Sequence, residues 1–354
     1  MTIKAIQAQL KKEKLSAAFF FNLDSIGGID TDLLYLSGYD GPGAMIVTPK
    51  KHYLLVPKME LERARVTHKT STYAWEKKRL LESIKGYNQK FAIRPQTVGI
   101  NFNAVSLALN KALKKEFKGI RWKHFATAKS REVKSASEIN TIKEACALAD
   151  TILQSAIRRF SSFRTESEAA AFLECEARKL GHKLSFSPIV ASGKHASMAH
   201  YAPQNMPIQK GFCIIDFGIR YKGYCSDMTR TIYVGKPTRK EIETYNSILK
   251  IQEGAVKMCT PCTTCQDVYQ FVAAELGVQA KYFTHGLGHG VGIGLHELPN
   301  LVPNNKEKLK ENSIVTVEPG IYIPGKWGIR IEDDVLVRGK PIILNRTTRK
   351  LITV

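Results

Sequence analysis

The spacing of apolar and polar residues predicts that helices and strands alternate along the chain. In the first third, apolar positions three and four residues apart indicate helices, and short apolar runs between them indicate strands. A Pro-Lys-Lys-His segment between two apolar runs predicts a β-hairpin. The pattern is that of a small α/β domain over residues 1–128. Its predicted elements are helices at 3–12, 75–84 and 105–117 and strands at 17–23, 44–48, 53–56 and 98–102.

A polar, basic stretch at 123–134 predicts a linker to a second domain at 135–354. There, two helices followed by strands occur twice, and a capping box at Ser135–Glu138 marks the first helix. This order predicts a pseudo-twofold α+β domain whose helices cover one face of a sheet. Its predicted elements are helices at 135–159, 165–180, 238–258 and 264–276 and strands at 184–190, 212–219, 223–234, 314–317, 321–323 and 329–337.

Composition narrows the class of protein. With 354 residues, 44% hydrophobic and 24% charged, the chain has the make-up of a two-domain globular protein and not of a disordered one. Apolar runs are too short for a membrane span, and residues 17–21 are too short for a secretory leader, so we expect a cytoplasmic location. Seven cysteines argue against a disulfide framework. The run Cys259, Cys262 and Cys265 lacks the fourth thiolate of an iron–sulfur cluster.

The formal net charge is +21, and the excess is densest near the N-terminus. Residues 1–130 carry 23 basic and 10 acidic side chains, whereas residues 131–354 carry 30 and 22. Such a field could attract nucleic acid. The sequence contains no zinc-finger spacing, basic heptad helix or ribonucleoprotein motif, so we interpret the charge as a solvated lysine-rich surface and do not expect a nucleic-acid partner.

Two pairs of carboxylates stand out because acidic residues are depleted in strands. Asp216 and Asp227 flank a turn-like segment whose midpoint is 221.5, so an antiparallel hairpin centred there would pair them directly. Glu318 and Glu332 have their midpoint at residue 325, the glycine of a Pro-Gly turn signal. Four carboxylates that converge on one sheet face repel one another unless cations lie between them.

A glycine-rich segment between the two pairs supplies imidazoles. It runs from His285 to His296 and includes His289, where flanking glycines allow close backbone approach. Four carboxylates and one imidazole can hold two divalent metals in the geometry of dinuclear hydrolases. Ligands so rich in oxygen favour Mn, Co, Fe or Zn over copper.

At these residues the chain resembles the metal-dependent pita-bread peptidases, a family that includes methionine aminopeptidase, aminopeptidase P and prolidase. The resemblance covers residues 135–354 and implies a curved antiparallel sheet under helices. The matching motifs are Asp-Phe-Gly from 216, Ser-Asp-Met-Thr-Arg-Thr from 226, Gly-His-Gly-Val-Gly from 288, His-Glu from 296, Val-Glu-Pro-Gly-Ile-Tyr from 317 and Arg-Ile-Glu-Asp from 330.

The resemblance assigns roles to individual residues. Glu318 would also be the general acid–base, with His296 and His200 as catalytic histidines. His285, Arg330 and Tyr322 would bind substrate, and we expect the extra His195 on a loop surface. The cofactor would be two divalent ions, Mn or Co before Zn or Fe. The metal ligands implied by the resemblance are Asp216, Asp227, His289, Glu318 and Glu332.

Residues 1–130 resemble the N-terminal domain of the creatinase, prolidase and aminopeptidase P group, most clearly at 34–41. That domain implies a homodimer and favours cleavage of the bond before proline in a peptide substrate. An Xaa-Pro dipeptidase is the first expectation, and an Xaa-Pro aminopeptidase acting on longer peptides is the second. A methionine aminopeptidase and a non-catalytic basic binding protein on the same fold remain as further alternatives.

Overall fold

The computed structural model describes residues 3–23, 29–68, 71–75 and 79–354. The chain divides into two compact units, one ending at Ser130 and the other spanning Arg131–Val354. The domain limits predicted from the sequence, 128 and 135, lie on either side of this division. Each unit has apolar clusters of its own, so each is described separately.

The first unit is built on a six-stranded mixed sheet with the strand order β4-β3-β2-β1-β5-β6. Strands β1 to β3 are antiparallel neighbours, whereas β4, β5 and β6 are added in parallel. Apolar side chains pack on both faces of the sheet. Its strands are β1 (Ala17–Asn22), β2 (Gly43–Val47), β3 (His52–Pro57), β4 (Thr72–Trp75), β5 (Thr97–Ile100) and β6 (Arg121–His124). Its helices are α1 (Ile3–Lys12), α2 (Thr31–Ser37), α3 (Leu61–Thr67), α4 (Leu80–Lys90), α5 (Leu107–Glu116) and α6 (Ala128–Arg131), which ends one residue past the division.

The predicted helix at 75–84 is wrong at its N-terminal end. Trp75 ends strand β4, residues 76–78 lie outside the described residues, and the helix begins only at Leu80. The predicted linker at 123–134 is also partly wrong, because it contains the end of β6 and the short helix α6. Aromatic residues at 73 and 75 fit a pleated surface as well as a helix, so periodicity alone does not separate the two.

The second unit carries four long helices that begin at hydroxyl caps. Capping boxes start α7 at Ser135, α9 at Thr238 and α10 at Thr264. Thr165 caps α8 by accepting a hydrogen bond from the Glu168 amide. The observed bounds agree with the predicted helices to within about one residue. They are α7 (Ala136–Arg158), α8 (Glu166–Lys179), α9 (Arg239–Met258) and α10 (Cys265–Leu276).

A helix pair packed on an antiparallel sheet occurs twice in the second unit, in the order that the repeated pattern predicts. Helices α7 and α8 pack on the sheet β12-β9-β8, and α9 and α10 pack on the sheet that contains β15 and β18. The result is the α+β architecture expected from the sequence. The strands are β7 (Lys183–Leu184), β8 (Ile189–Ser192), β9 (Gly211–Phe217), β10 (Ile219–Tyr221), β11 (Tyr224–Cys225), β12 (Met228–Val234), β13 (Gly288–Gly290), β14 (Glu297–Leu301), β15 (Ile314–Val317), β16 (Gly320–Ile323), β17 (Trp327–Arg330), β18 (Asp333–Leu336) and β19 (Ile342–Ile343).

Within the described part of the chain, none of the helices combines the length and the apolar character that crossing a bilayer requires.

All seven cysteines are free thiols, as their odd number suggests. Two of the seven, Cys175 and Cys262, are exposed. Burial raises the pKa of the other five thiols. Those five are Cys146, Cys213, Cys225, Cys259 and Cys265.

We expect a thiol reagent such as dithionitrobenzoate to modify two cysteines rapidly in the native protein and all seven after denaturation, because the thiolate is the reactive form. The double variant Cys175→Ser/Cys262→Ser should lose the rapid phase. The absorbance of the thiolate that the reagent releases measures this phase directly. A rapid phase that survives in the double variant would contradict this description of the buried thiols.

Candidate functional site

The second carboxylate pair lies where the sequence predicts it. Strands β15 and β18 pair with Val317 opposite Asp333, and β16 and β17 pair with Gly320 opposite Arg330. Both pairings are centred on residue 325, where Gly325 has a φ of +67°. Glu318 and Glu332 therefore occupy facing positions between the two paired stretches, and the prediction of a hairpin centred at 325 is confirmed.

The first pair is offset from the predicted register. Asp216 in β9 lies opposite Thr229, not opposite Asp227. The turn is centred at 222.5, one residue after the assumed midpoint of 221.5, because Lys222 and Gly223 form the turn with φ of 48° and 87°. Asp227 is thus the diagonal neighbour of Asp216. Diagonal positions share a face of the sheet, so the two carboxylates can still converge, but direct cross-strand pairing was wrong.

The candidate ligands gather where strands break. Asp227 lies between β11 and β12, Glu318 between β15 and β16, and Glu332 between β17 and β18. At this level the two hairpins are joined, since the Glu332 amide donates to the Thr229 carbonyl at 3.1 Å. The breaks turn the side chains of two separate hairpins toward one point.

His289 reaches the same point from β13. A side chain on either neighbouring glycine would collide with backbone, because a Cβ on Gly288 would lie 2.0 Å from the Thr316 carbonyl oxygen and one on Gly290 would lie 2.2 Å from that of Leu298. With Nδ1 donating to the Gly290 carbonyl at 3.1 Å, Nε2 presents a lone pair. That Nε2 lies 3.6 Å from a carboxylate oxygen of Asp227 and 3.6 Å from one of Glu318.

The electrostatics of this cluster are unfavourable as they stand. Ligand atoms of Asp227, His289 and Glu332 all lie within 4.8 Å of one another. Burial raises the pKa of Asp227 and Glu332 well above the usual carboxyl range, and neighbouring carboxylates add to this. Burial also raises the pKa of Glu318 to about 8 and lowers that of His289 to about 4. The buried carboxylates repel one another when they are ionised, and the neutral imidazole beside them offsets none of that charge.

Arg330 offsets part of this charge on one side of the cluster. Its Nη2 donates to Asp216 at 2.5 Å, and its Nε donates to the Thr229 hydroxyl at 3.0 Å. Thr229 in turn donates to Glu332 at 2.6 Å. Burial raises the pKa of Asp216, with Arg330 opposing that rise. Asp216 therefore enters the site with Oδ2 held, while its buried Oδ1 has no hydrogen-bond partner among the described residues.

The remaining predicted site residues line the same cavity of about 460 Å³, apart from Tyr322, which stands behind it. His296 packs edge-on against His289 with ring centroids 4.1 Å apart. His285 Nε2 and the Tyr322 hydroxyl are 2.9 Å apart, and that hydroxyl accepts from Arg330 at 2.7 Å. His200 is exposed at the cavity wall. Burial lowers the pKa of His285 and His296, so both rings are neutral near pH 7.

Sequence reasoning missed the groups that brace the cluster from behind. Asp334 accepts a hydrogen bond from the Asp227 amide at 2.9 Å. Asp333 accepts from the buried Arg230 at 2.6 Å and from Gln252 at 2.9 Å. The motif Arg-Ile-Glu-Asp-Asp places these acids next to Glu332, and strand alternation was the one feature that could have separated their directions.

The donor set fits divalent cations. An unpartnered buried oxygen on Asp216, an imidazole lone pair facing two carboxylates, and raised carboxyl pKa values are features that suit cation binding. Carboxylate and imidazole donors are common ligands of divalent metal ions. Antiparallel sheets under paired helices, with such a cluster in a cavity, are typical of the class of metal-dependent hydrolases.

Comparison with known proteins places the chain within that class. The profile of metallopeptidase family M24 matches residues 140–339, and that of the creatinase/prolidase N-terminal domain matches residues 2–133. The chain belongs to metallopeptidase family M24.

Relatives cover both units. An Xaa-Pro dipeptidase of Pyrococcus horikoshii is 32% identical over 94% of this chain and 96% of its own length. The structure of an Xaa-Pro dipeptidase from Bacillus anthracis superposes with a TM-score of 0.89 at 28% identity, covering 99% of both chains. That of an X-Pro aminopeptidase from Thermotoga maritima also reaches 0.89, at 27% identity over 98% of this chain and 100% of the other.

We expect divalent manganese to raise the melting temperature of the metal-stripped protein, because a ligand that binds only the folded state adds about 2.7 kcal/mol at a concentration 100 times its Kd. Glu332→Gln should lose most of this shift, whereas Glu243→Gln, at an exposed position on α9, should keep it. Without metal, Glu332→Gln should melt no lower than the parent, since it removes one repelling carboxylate. Equal manganese shifts in the two variants, measured by calorimetry, would contradict the site.

Proposed function

We propose that this chain hydrolyses the peptide bond preceding proline and acts as an Xaa-Pro dipeptidase with two divalent ions. The observation that carries the proposal is the buried cluster in which ligand atoms of Asp227, His289 and Glu332 lie within 4.8 Å of one another inside a cavity. Asp216 and Glu318 complete the proposed ligand set. Two tight sites for hard cations are what a dinuclear hydrolase needs.

The proposed ions are manganese or cobalt, with zinc or iron as alternatives. Oxygen donors outnumber the single imidazole in the proposed set, which favours harder ions. When bound, such ions polarise the scissile carbonyl and lower the pKa of a coordinated water.

Glu318 is proposed as the group that moves the proton. It faces the cavity next to His289, and its Oε1 accepts a hydrogen bond from Thr316 at 3.1 Å, which fixes one oxygen and leaves the other available. With cations beside it to keep it ionised, the free oxygen would take the proton of the attacking water and later deliver it to the leaving amine.

The histidines are proposed to bind and stabilise the peptide. His296 is neutral and stands at the cavity wall, where its N–H can donate to the oxygen of the tetrahedral intermediate. His200, which also lines the cavity, would orient the substrate. His285 and Tyr322 are linked through the hydroxyl that Arg330 also contacts, so these three would act as one substrate-binding unit.

Preference for proline follows from the relatives and from the chemistry of the bond. A bond to proline is a tertiary amide without an N–H, so its recognition depends on the shape of a pocket and not on a donor. The Pyrococcus horikoshii relative is named an Xaa-Pro dipeptidase, and the Thermotoga maritima structure is that of an X-Pro aminopeptidase. Cleavage of longer Xaa-Pro peptides is therefore the second candidate function.

We further propose that the protein is a cytoplasmic homodimer and that nucleic acid is not one of its binding partners. The resemblance of the first unit to the creatinase/prolidase N-terminal domain supports a dimer. Analytical ultracentrifugation tests it directly, since the monomer has a mass of 39.6 kDa.

We expect His289→Ala to abolish hydrolysis of a Gly-Pro dipeptide, reducing kcat/KM by more than about 1,000-fold, because the variant lacks one ligand of the proposed metal pair. The far-ultraviolet circular dichroism should stay that of the parent, since the side chain lies in a cavity. His182→Ala, at a histidine that does not line the cavity, serves as the control. Full activity in metal-reloaded His289→Ala would refute the proposed ligand set.

A panel of three peptides separates the candidate functions. We expect turnover of Gly-Pro by a dipeptidase, of Ala-Pro-Ala by an aminopeptidase with longer substrates, and of Met-Ala by a methionine aminopeptidase. Chromatography of the released amino acids measures each rate. Absence of turnover on all three, together with salt-dependent binding of DNA, would favour the non-catalytic basic protein instead.

A further inference from the structure

Glu166 is a buried carboxylate outside the cavity. It is the first residue of α8, and it is fully buried. Its Oε1 accepts hydrogen bonds from the amide and the hydroxyl of Ser192, both at 2.8 Å. Its Oε2 accepts from the Tyr201 hydroxyl at 2.7 Å, and His195 Nδ1 donates to the carboxylate at 3.0 Å. One carboxylate thus binds three residues of a single segment.

That segment, residues 192–201, carries His200. A turn closed by the Tyr201 amide donating to the Met198 carbonyl at 3.2 Å places His200 directly before the residue that Glu166 holds. On its other side, the Ala199 carbonyl accepts from Arg330 at 3.2 Å. Among the described residues no hydrogen bond holds the His200 ring itself, so the backbone on either side decides where the ring lies.

His195 belongs to this anchor, and the expectation that it lies on a loop surface was wrong. Its side chain is 13% exposed, and its ring stacks on Tyr201 with centroids 4.7 Å apart. The side-chain nitrogen of Gln209 lies 3.3 Å from Nε2 of the same ring, and the backbone amide of Gln209 donates to the Ser192 hydroxyl at 2.8 Å. The segment is therefore fixed by a closed polar network and not by apolar packing alone.

A carboxylate in this position is costly unless it serves these contacts. In the described part of the chain, His195 is the one basic side chain at ion-pair distance from Glu166. Burying an acid without a lysine or arginine partner is tolerated when several donors converge on it. Four donors from one segment point to a role in fixing that segment.

We propose that Glu166 is a positioning residue for His200, acting through Ser192, His195 and Tyr201. This inference rests on the proposed function, in which His200 orients the substrate. Glu166 touches neither substrate nor metal ligands in this arrangement. Its loss should misplace the His200 ring while the metal cluster, on other strands, stays intact.

The chain offers a matched control in the same helical turn. Glu168 lies two residues further along α8 and pairs with Arg164 at 2.8 Å at the surface. Glu166→Gln and Glu168→Gln each remove one charge near the same helix N-terminus. A loss that arises only from weakening α8 would therefore appear in both variants.

A double-mutant cycle on the peptide that the parent cleaves is the first test. We expect Glu166→Gln to lower kcat/KM by about 100-fold, the scale of a misplaced orienting group, and Glu168→Gln to leave it unchanged. The pair Glu166→Gln/His200→Ala should be within about threefold of His200→Ala alone, because both remove the same interaction. Losses that multiply, or parental kcat/KM in Glu166→Gln, would overturn the inference.

Ring resonances of ¹³C-labelled histidine give a second readout that needs no activity. The protein has nine histidines, and His200 is assigned by the signal missing in His200→Ala. Glu166→Gln should shift or broaden the His200 signal, and Glu168→Gln should not. If the parent cleaves no proline peptide, the proposed function is wrong. Independently of that result, an unchanged His200 signal in Glu166→Gln would contradict the positioning role.

Tyr201→Phe guards against a variant that does not fold. It removes one hydroxyl donor and keeps the stacked ring, so the variant should still fold, with a melting temperature that is lower because Glu166 Oε2 loses a donor. Tyr201→Phe should lower kcat/KM less than Glu166→Gln does, and it should shift the His200 signal in the same direction. Both results together would support the network. A parental His200 signal in folded Tyr201→Phe would contradict it.

Discussion

The repulsion among buried carboxylates is the constraint on which the second unit of this protein depends. Asp227 and Glu332 lie within 4.8 Å of His289 and are shielded from water, so each raises the cost of ionising the other. Arg330 compensates only the side on which Asp216 lies. Two hairpins joined by the hydrogen bond from the Glu332 amide to the Thr229 carbonyl hold these groups in place. Bound cations would offset the repulsion among these buried carboxylates.

The three consecutive acids at 332–334 have different partners and different roles. Glu332 faces the cavity and accepts from Thr229. Asp333 points the other way, into an ion pair with Arg230 at 2.6 Å. Asp334 returns toward the site and holds the Asp227 amide. Asp333 and Asp334 are consecutive residues of β18, so strand alternation points them in opposite directions, whereas Glu332 lies in the break before that strand. Ligand and supporting groups are therefore specified by consecutive residues, which ties the position of the cluster to the register of β18.

Much of this site can be predicted from the sequence, because two residues that are equally far from the centre of a turn face each other in a hairpin. Glu318 and Glu332 could be paired correctly, since a Pro-Gly turn marks residue 325. The offset of Asp216 and Asp227 could not be predicted, because a lysine with φ of 48° is uncommon and nothing local announces it at Lys222. The Glu166 anchor was invisible for another reason. It joins a helix start to a loop by side-chain hydrogen bonds, and these leave no periodic pattern along the chain.

The site thus has two kinds of support, and they differ in what a change would do. The cluster is held by backbone register, so single side-chain losses there remove charge but leave the geometry. The histidine of the outer wall, His200, is held by a buried network centred on Glu166, so a distant loss moves it. In an M24 peptidase with this division, metal binding and substrate orientation become separable properties.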